Sequence, residues 1–479
     1  MNRNHTLILF SLSLFALLLV PSLVQQGMFL DGVTYAGISK NLANGIGSWW
    51  EPHYTKVLYP EFHEHPPLAF MLQSLFFSLF GDGFLTERIY CLLVALLTTW
   101  GIIAIWEMLA TDKVFSDSYW VALLLWISVP MVLWSLKNNM LENTMSMFTV
   151  FAVLFILKAA IAHRFLYLSA SSLLILAAFL TKGAGGLFPL ATPLLYGLVF
   201  RKFKTTLPMF ILLWLMFFTY SALLFGLLPE AGISLWKYLD HQLLPVLKNE
   251  KVFTTDNRFR ILINLAIDLT IPLFMVISVL VAGLKKKEFM LLSSKRNFLF
   301  LLLVAASASI PLIISMKQRK YYLIPSIPFF ALSFSFLISE FVNQLVDKLK
   351  ERILKIIRII SYTLLFTTLV LAVVRYNHFS RDRKQLEDIY KIAEILPAGT
   401  ILGSDSILCD DWGLAAYLNR VGYISLDCSN NHHYFIQESS RLTSFPAGFR
   451  PLGPDLQKYT LMSRMVPHEK TPDKKNDFE

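Results

Sequence analysis

Charged residues are scarce in this sequence, and their scarcity indicates the class of protein. Only 16% of the 479 residues are charged, whereas 55% are hydrophobic. A soluble domain of this length would carry far more charge, so the composition excludes a soluble globular protein and indicates a chain that crosses a membrane many times. The net charge of +10 comes from basic residues scattered between apolar runs. Without a nucleic-acid-binding motif beside it, this charge does not indicate a nucleic-acid partner.

Cysteine is almost absent, and no nucleotide-binding fingerprint is visible. The three cysteines are Cys91, Cys409 and Cys428, and none has the close spacing to other cysteines or histidines that zinc sites show. Cys409 and Cys428 share the polar C-terminal region and could form a disulfide in an oxidising compartment, but their spacing leaves this question open. The sequence contains neither a P-loop nor a Rossmann glycine fingerprint.

Long apolar runs fill most of the first 376 residues. They predict an all-α polytopic membrane domain over 1–376 with about eleven transmembrane helices. The apolar run 67–80 is too short to span and is interpreted as a juxtamembrane or re-entrant helix in the first outer loop. The spans are predicted near 7–24, 87–110, 119–135, 143–160, 165–181, 184–200, 206–228, 263–283, 297–315, 321–340 and 357–375.

The basic loop residues support this arrangement of spans. The run 7–24 lacks a cleavage site, so it is interpreted as an uncleaved anchor with its amino end in the cytoplasm. The basic clusters at 201–204, 285–296 and 348–358 then all fall on the cytoplasmic side, as the positive-inside rule requires. Counting 67–80 as a span would place the two richest clusters outside.

The first outer loop, 25–66, is polar and rich in aromatic rings, carboxylates and imidazoles. Such groups are typical of a sugar-handling or acid–base site. The spacing of Val33, Ile38 and Leu42 predicts an amphipathic helix over Asp31–Ala43 that lies on the membrane surface. The alternative is an interfacial loop whose tryptophans and tyrosines belong to the aromatic belt of the membrane.

A polar C-terminal region follows the last predicted span. A strand is predicted at 400–407, a helix at 411–419 and a second strand at 422–426. These elements indicate a small extracytoplasmic α/β domain over 377–467. The charged residues 468–479 are predicted to form a disordered tail.

Several basic residues fall at the outer ends of spans, against the topological bias. Lys182 lies in TKGAGG, and Lys317, Arg319 and Lys320 lie in KQRKYY. Cations held at this interface indicate an anion, and a lipid phosphate is the obvious one. The alternative is snorkelling of the side chains toward lipid head groups, which suits Lys137 better than the KQRKYY cluster.

Six short motifs along the chain resemble those of a known superfamily. The motifs are LDGVTYA, HEHPPL, TERIY, NNMLENTMSMF, TKGAGGLFPL and KQRKYYLIPSIPFFAL. In this order they resemble the polyprenyl-phosphate-sugar glycosyltransferases of the GT-C superfamily. The resemblance is greatest to the bacterial branch that includes protein O-mannosyltransferase-like enzymes and the aminoarabinose transferase of lipid A. It covers about residues 6–340 and implies an active site on the outer face of the membrane.

The resemblance implies a role for each matching residue. Asp31 matches the first catalytic acid of the family and Glu142 the second. Tyr35 and His65 are assigned to substrate binding. The residues expected to bind the carrier phosphate are Lys182, Lys317, Arg319 and Lys320.

No cofactor is required by this resemblance. A divalent metal is left open, and its expected ligands are Glu64 and His241.

Three positions depart from the family pattern. Asp31 is followed by Gly32, where the family often has glutamate. His65 occupies a position that is often lysine, and Glu142 stands where aspartate is frequent. These departures concern the sugar and the phosphate contacts rather than the class of reaction.

These features predict an inverting glycosyltransferase that moves a sugar from a polyprenyl-phosphate donor to an acceptor hydroxyl. The acceptor is a glycolipid such as lipid A, a glycan or a protein. The expected location is the bacterial inner membrane, with the active site and the C-terminal domain on the periplasmic side. The alternative is a transporter or flippase for a lipid-linked sugar. The absence of an internal repeat with paired broken helices counts against that alternative.

Overall fold

The chain forms two compact units. The first comprises Met1–His53 and Glu61–Arg381, and the second comprises Tyr54–Pro60 and Asp382–Glu479. The tail predicted at 468–479 and the basic residues 285–287 lie outside the described residues. A computed structural model describes residues 3–110, 116–162, 164–248, 250, 254–284, 292–429, 431–442 and 445–465.

The first unit is helical. Its segments are rich in leucine, isoleucine and phenylalanine, and a helix lets such an apolar segment satisfy its backbone hydrogen bonds internally. Short 3₁₀ segments occupy Ser116–Tyr119, Gly183–Ala191, Ile310–Ile314 and Lys320–Ser326, and a π-helical turn occupies Leu239–Leu243. The helices are α1 Arg3–Leu23, α2 Leu30–Ala43, α3 Leu68–Phe80, α4 Thr86–Leu109, α5 Trp120–Ile127, α6 Pro130–Lys137, α7 Leu141–Ala162, α8 Phe165–Lys182, α9 Thr192–Phe200, α10 Phe203–Leu227, α11 Pro229–Tyr238, α12 Leu244–Leu247, α13 Arg260–Asp268, α14 Thr270–Leu284, α15 Leu292–Ser309, α16 Ile327–Asp347 and α17 Glu351–Arg375.

The predicted polytopic helical architecture is confirmed. Among the described residues, eight helices are long and apolar enough to cross a membrane, or up to ten if each of two bent helix pairs forms one span. The count of ten is one fewer than the predicted number of about eleven spans. The two counts differ at Phe165–Phe200, which is counted here as one candidate span, whereas the sequence predicted two. A Cβ on Gly186 would lie 2.6 Å from the carbonyl carbon of Ala178. Residues eight apart in a continuous helix are separated by about 12 Å, so the chain folds back between α8 and α9.

The helix in the first outer loop differs from the predicted one. The spacing correctly indicated a helix, α2, but 10 of its 14 residues are buried. A surface helix would leave one face in contact with solvent or lipid head groups, so the prediction of an amphipathic surface helix was wrong. One reason is that Gly32 carries no side chain, so the chain at Asn138 and Asn139 packs directly against α2. The short apolar run after the loop forms α3, whose 13 residues are fewer than a span needs.

The second unit is a five-stranded mixed sheet with helices. The strands lie in the order β2-β1-β3-β5-β4, with β1 parallel to β2 and β3, and β5 antiparallel to β3 and β4. The predicted α/β domain is therefore confirmed, although only two of its strands were foreseen. The elements are α18 Arg383–Ile395, β1 Ile401–Ser404, α19 Ser406–Cys409, α20 Trp412–Gly422, β2 Ser425–Asp427, β3 Tyr434–Glu438, β4 Phe449–Pro451 and β5 Tyr459–Arg464.

Two contacts within the second unit go beyond the sequence predictions: the sequence left the first one undecided and did not predict the second. Cys409 and Cys428 form a disulfide that joins the end of α19 to the residue after β2. The segment Tyr54–Pro60 docks on this unit because the amide of Lys56 donates to Oγ of Ser425 at 2.9 Å. The polar first loop therefore contributes a segment to a unit that the sequence placed only after residue 377.

Gly32 offers a test of how α2 is packed. A Cβ at this position would lie 1.8 Å from the carbonyl oxygen of Asn138, so Gly32→Ala should displace α2 and destabilise the protein by about 1–3 kcal/mol. The melting temperature of the purified protein in detergent measures this effect. Gly83→Ala is the matched control, because a Cβ on Gly83 would meet no atom within 4 Å. Equal melting temperatures for the two variants would contradict the buried position of α2.

Candidate active site

The turn between α6 and α7 holds the first outer loop in place. Oδ1 of Asn138 accepts a hydrogen bond from the amide of Phe29 at 2.7 Å. Nδ2 of Asn139 donates to the carbonyl oxygen of Gly32 at 3.2 Å. These bonds fix the first turn of α2, which carries Asp31. Part of the NNMLEN motif therefore positions the predicted catalytic acid.

Arg88, from the TERIY motif, fastens the start of the same loop. Its buried guanidinium donates to the carbonyl oxygens of Gly27 at 2.8 Å and of Gln25 at 3.2 Å, and also to that of Lys137. Buried carbonyl groups need hydrogen-bond donors, and a guanidinium supplies several of them in a fixed plane. Arg88 therefore ties the loop to the end of α6 and acts as a structural anchor.

An ion pair buried between two helices lies at the centre of the candidate site. Nζ of Lys182, at the end of α8, is 2.6 Å from Oε1 of Glu142, in the first turn of α7. The Glu142 side chain is fully buried, and that of Lys182 is 8% exposed. The residues predicted as the second catalytic acid and as a phosphate ligand are thus each other's partners.

Three tyrosine rings surround the ammonium group of Lys182. Its Nζ lies 5.8 Å from the ring centre of Tyr35, 5.6 Å from that of Tyr321 and 5.5 Å from that of Tyr322. All three distances fall within the range of cation–π attraction. The ion pair and the rings together hold Lys182 in one position.

Gly183 allows another tyrosine to approach the turn after Lys182. Its φ is +78°, and a Cβ there would lie 2.0 Å from the hydroxyl of Tyr238. Any other residue would strain the backbone and collide with that hydroxyl. The glycine of the Thr-Lys-Gly motif therefore lets α11, which carries Tyr238, pack against the turn.

Asp31 is held by an aromatic residue that sequence reasoning missed. Its half-buried carboxylate accepts a hydrogen bond from the hydroxyl of Tyr321 at 3.0 Å. The ring of Tyr321 stacks on Trp134, with ring centres 6.0 Å apart and planes 12° apart. Tyr321 lies in the KQRKYY motif, in which the sequence predicts a role only for the basic residues. The structure thus brings Asp31 and the Glu142–Lys182 pair together around one tyrosine.

Tyr35 and His65, both predicted to bind substrate, contact each other. The Tyr35 hydroxyl lies 3.1 Å from Nε2 of His65. Burial, followed by the positive charges of Lys182 and Lys317, holds the pKa of His65 well below its usual value. The imidazole is therefore neutral near pH 7, and it adds no positive charge beside Lys182 and Lys317.

The basic segment before α16 is anchored by a glutamine. Oε1 of Gln318 accepts a hydrogen bond from the amide of Ile261, in the first turn of α13, at 2.8 Å. On either side of this anchor, Lys317 is half-buried, whereas Arg319 and Lys320 are exposed. These last two cations are accessible to a bound anion, whereas Lys182 is buried in its ion pair.

Glu64 and His241, the residues predicted as metal ligands, each contact a different side chain. The Glu64 carboxylate accepts a hydrogen bond from Nε2 of Gln242. The exposed His241 has its Nε2 3.6 Å from a carboxylate oxygen of Asp240. A metal at Glu64 and His241 stays a prediction. Among the described residues, the group whose ligand atoms all lie within 4.8 Å of one another is Glu51, Glu61 and His63.

The buried ion pair makes a prediction about stability. Lys182→Met would leave Glu142 as an uncompensated buried charge, so we expect a loss of about 3–5 kcal/mol, measured as a lower melting temperature in detergent. Glu142→Leu/Lys182→Met removes both charges and should recover most of that loss. Lys248→Met, at an exposed lysine, is the control and should melt like the wild type. A double variant no more stable than Lys182→Met would contradict the pairing.

The lowered pKa of His65 predicts how stability depends on pH. The unfolded chain binds a proton at this residue below about pH 6.5, whereas the native state stays neutral to lower pH. Acidification from about pH 7.5 to about pH 5.5 should therefore lower the melting temperature, and His65→Asn should reduce that drop. His378→Asn, at an exposed histidine, serves as the control. An equal drop in wild type and His65→Asn would contradict the buried neutral imidazole.

Comparison with known proteins adds a family match over part of the chain. Residues 64–225 match the family described as dolichyl-phosphate-mannose-protein mannosyltransferase. That segment includes His65, Glu142 and Lys182 but not Asp31 or Lys317. No curated protein sequence matches the chain.

Solved structures share the fold over nearly the whole chain. The crystal structure of ArnT from Cupriavidus metallidurans bound to undecaprenyl phosphate has a TM-score of 0.63 and 14% identity, and the match covers 96% of this chain and 98% of that one. The apo state of the same protein gives 0.61 and 15% identity over 95% and 97% of the two chains. The apo oligosaccharyltransferase from Archaeoglobus fulgidus gives 0.50 and 12% identity over 85% and 65%. The chain therefore shares the fold of these proteins.

Proposed function

We propose that this chain transfers a sugar from a polyprenyl-phosphate donor to an acceptor hydroxyl, with inversion at the anomeric carbon. The observation that carries the proposal is the half-buried carboxylate of Asp31, which the Tyr321 hydroxyl holds beside the Glu142–Lys182 pair. A positioned carboxylate next to cations is what base-assisted displacement of a phosphate requires. The acceptor is a glycolipid, a glycan or a protein at the extracytoplasmic face of a bacterial inner membrane.

The choice of donor is supported by one solved structure and by one family. An ArnT structure with the same fold holds undecaprenyl phosphate, and the family matched by residues 64–225 is described as using dolichyl-phosphate mannose. Such a donor carries its own activation, because the phosphate is the leaving group. The exposed Arg319 and Lys320, with Lys317 beside them, would stabilise the negative charge that develops on that phosphate.

Asp31 is proposed as the general base. It accepts the proton of the acceptor hydroxyl while that oxygen attacks the anomeric carbon, and the carbon–oxygen bond to the phosphate breaks with its electron pair on the phosphate oxygen. The hydrogen bond from Tyr321 orients the carboxylate for this transfer. Glu142 acts differently, as a positioning residue, because its charge is already matched by Lys182.

Asp31→Asn tests the proposed base. The amide keeps the size of the side chain and can still accept from Tyr321, but it cannot take up a proton. General bases contribute about 10²–10⁴ in rate, so transfer should fall by that factor while donor binding persists. The measurement is sugar transfer from purified polyprenyl-phosphate donor in vesicles, with donor binding measured separately.

Asp82→Asn is the matched control for this experiment, because Asp82 is exposed and lies 3.9 Å from the Lys40 ammonium. It should transfer sugar at the wild-type rate. Near-normal transfer by Asp31→Asn would refute the proposed base and leave Asp31 as part of the α2 packing. Movement of an intact donor across the bilayer, without cleavage of its sugar–phosphate bond by the wild type, would instead support a transporter.

A further inference from the structure

A second group of metal-ligand side chains lies in the first outer loop, among residues to which the proposed sugar transfer assigns no role. Glu51, Glu61 and His63 each offer one ligand atom, and these atoms all lie within 4.8 Å of one another. The two carboxylates are exposed, whereas the imidazole is buried. Two exposed carboxylates do not by themselves indicate a metal site, whereas a buried histidine beside them does.

The imidazole of His63 is directed into this group. Its Nδ1 lies 3.5 Å from Oγ of Ser234, on α11. Its Nε2 is 3.8 Å from Oε2 of Glu61 and makes no hydrogen bond with any described residue. A buried polar atom without a hydrogen bond is costly and needs an explanation. Metal-binding histidines commonly use one ring nitrogen for the metal and the other for an orienting hydrogen bond, and His63 is arranged in this way.

The group already attracts a cation. Nζ of Lys237, on α11, lies 2.6 Å from Oε2 of Glu61 and 3.0 Å from Oε1 of Glu51. Exposed ion pairs of this kind are weak, so a divalent ion that also gains a nitrogen ligand from His63 can displace the ammonium group.

We propose that Glu51, Glu61 and His63 form a site for a divalent cation of the zinc class, and that the Lys237 ammonium occupies this site when no metal is bound. One imidazole and two carboxylates are a ligand set that zinc accepts. Bonds of about 2.0–2.2 Å would bring the ligand atoms to about 3.5 Å from one another, which the exposed glutamates can reach by small movements. The bound ion joins the two arms of the loop 48–63 and releases Lys237. This site is distinct from Glu64 and His241, and it does not depend on the proposed reaction.

Removing the Lys237 ammonium should increase the affinity of the site for zinc, and this gain can be measured. The full chain, purified in detergent without metal, is titrated with zinc chloride in a calorimeter. Lys237→Met should bind one zinc ion about tenfold more tightly than the wild type, because the competing ammonium is gone. In the Lys237→Met background, His63→Ala should weaken binding by more than about a hundredfold. Glu51→Gln/Glu61→Gln in that background should weaken it similarly, and it provides the test if the His63 variant does not fold.

Two matched controls separate this site from other ligands in the chain. In the Lys237→Met background, His53→Ala removes another histidine of the same loop, and Glu64→Gln/His241→Ala removes the pair predicted from the sequence. Both should retain the zinc ion that Glu51, Glu61 and His63 bind in Lys237→Met. The proposal is overturned if folded Lys237→Met protein takes up no zinc. It is also overturned if removal of His63, or of both glutamates, leaves zinc binding unchanged.

Discussion

The arrangement of the candidate site depends on the buried ion pair between Glu142 and Lys182. Taking each of these charges out of water costs several kcal/mol, and their attraction offsets this cost only while their geometry is maintained. The pair joins the start of α7 to the end of α8, two helices that pack along each other. The rings of Tyr35, Tyr321 and Tyr322 close around the lysine. Since Tyr321 also donates to Asp31, the ion pair fixes the orientation of the proposed base through one shared side chain.

Two of the six short motifs, TERIY and NNMLENTMSMF, hold the loop that carries Asp31. The loop buries backbone groups, and each such group needs a hydrogen-bond partner. Asn138, Asn139 and Arg88 supply these partners from the α6–α7 turn and from α4. A side chain at position 32 would collide with the backbone of Asn138, and glycine avoids this collision. Packing therefore accounts for the glycine that follows Asp31.

The sequence predicted those features that depend on local chemistry. Apolar runs indicated the spans, and the composition of the C-terminal region indicated an α/β unit. The burial of α2 could not be predicted, because spacing reveals a helix but not what packs against its second face. Contacts distant in sequence were also missed, such as Tyr321 with Asp31 and Lys56 with Ser425. They depend on how the helices and strands are arranged in space, and the sequence shows no periodic pattern for them.

The basic side chains of the first unit differ in whether they are free to bind a new anion, and this depends on how deeply each one is buried. Separating Lys182 from Glu142 would cost about 3–5 kcal/mol, whereas a charge-assisted contact with a phosphate returns only about 1.5–3 kcal/mol. Lys182 can therefore contact a donor phosphate only while it keeps Glu142 as its partner. Lys237 holds exposed carboxylates, and such pairs contribute at most about 1 kcal/mol each, so it can exchange partners. Arg319 and Lys320 are exposed, so neither has to leave a buried position to contact a phosphate. We therefore propose that the phosphate of the proposed donor is bound mainly by the basic segment before α16, while Lys182 keeps the tyrosines and Asp31 in position.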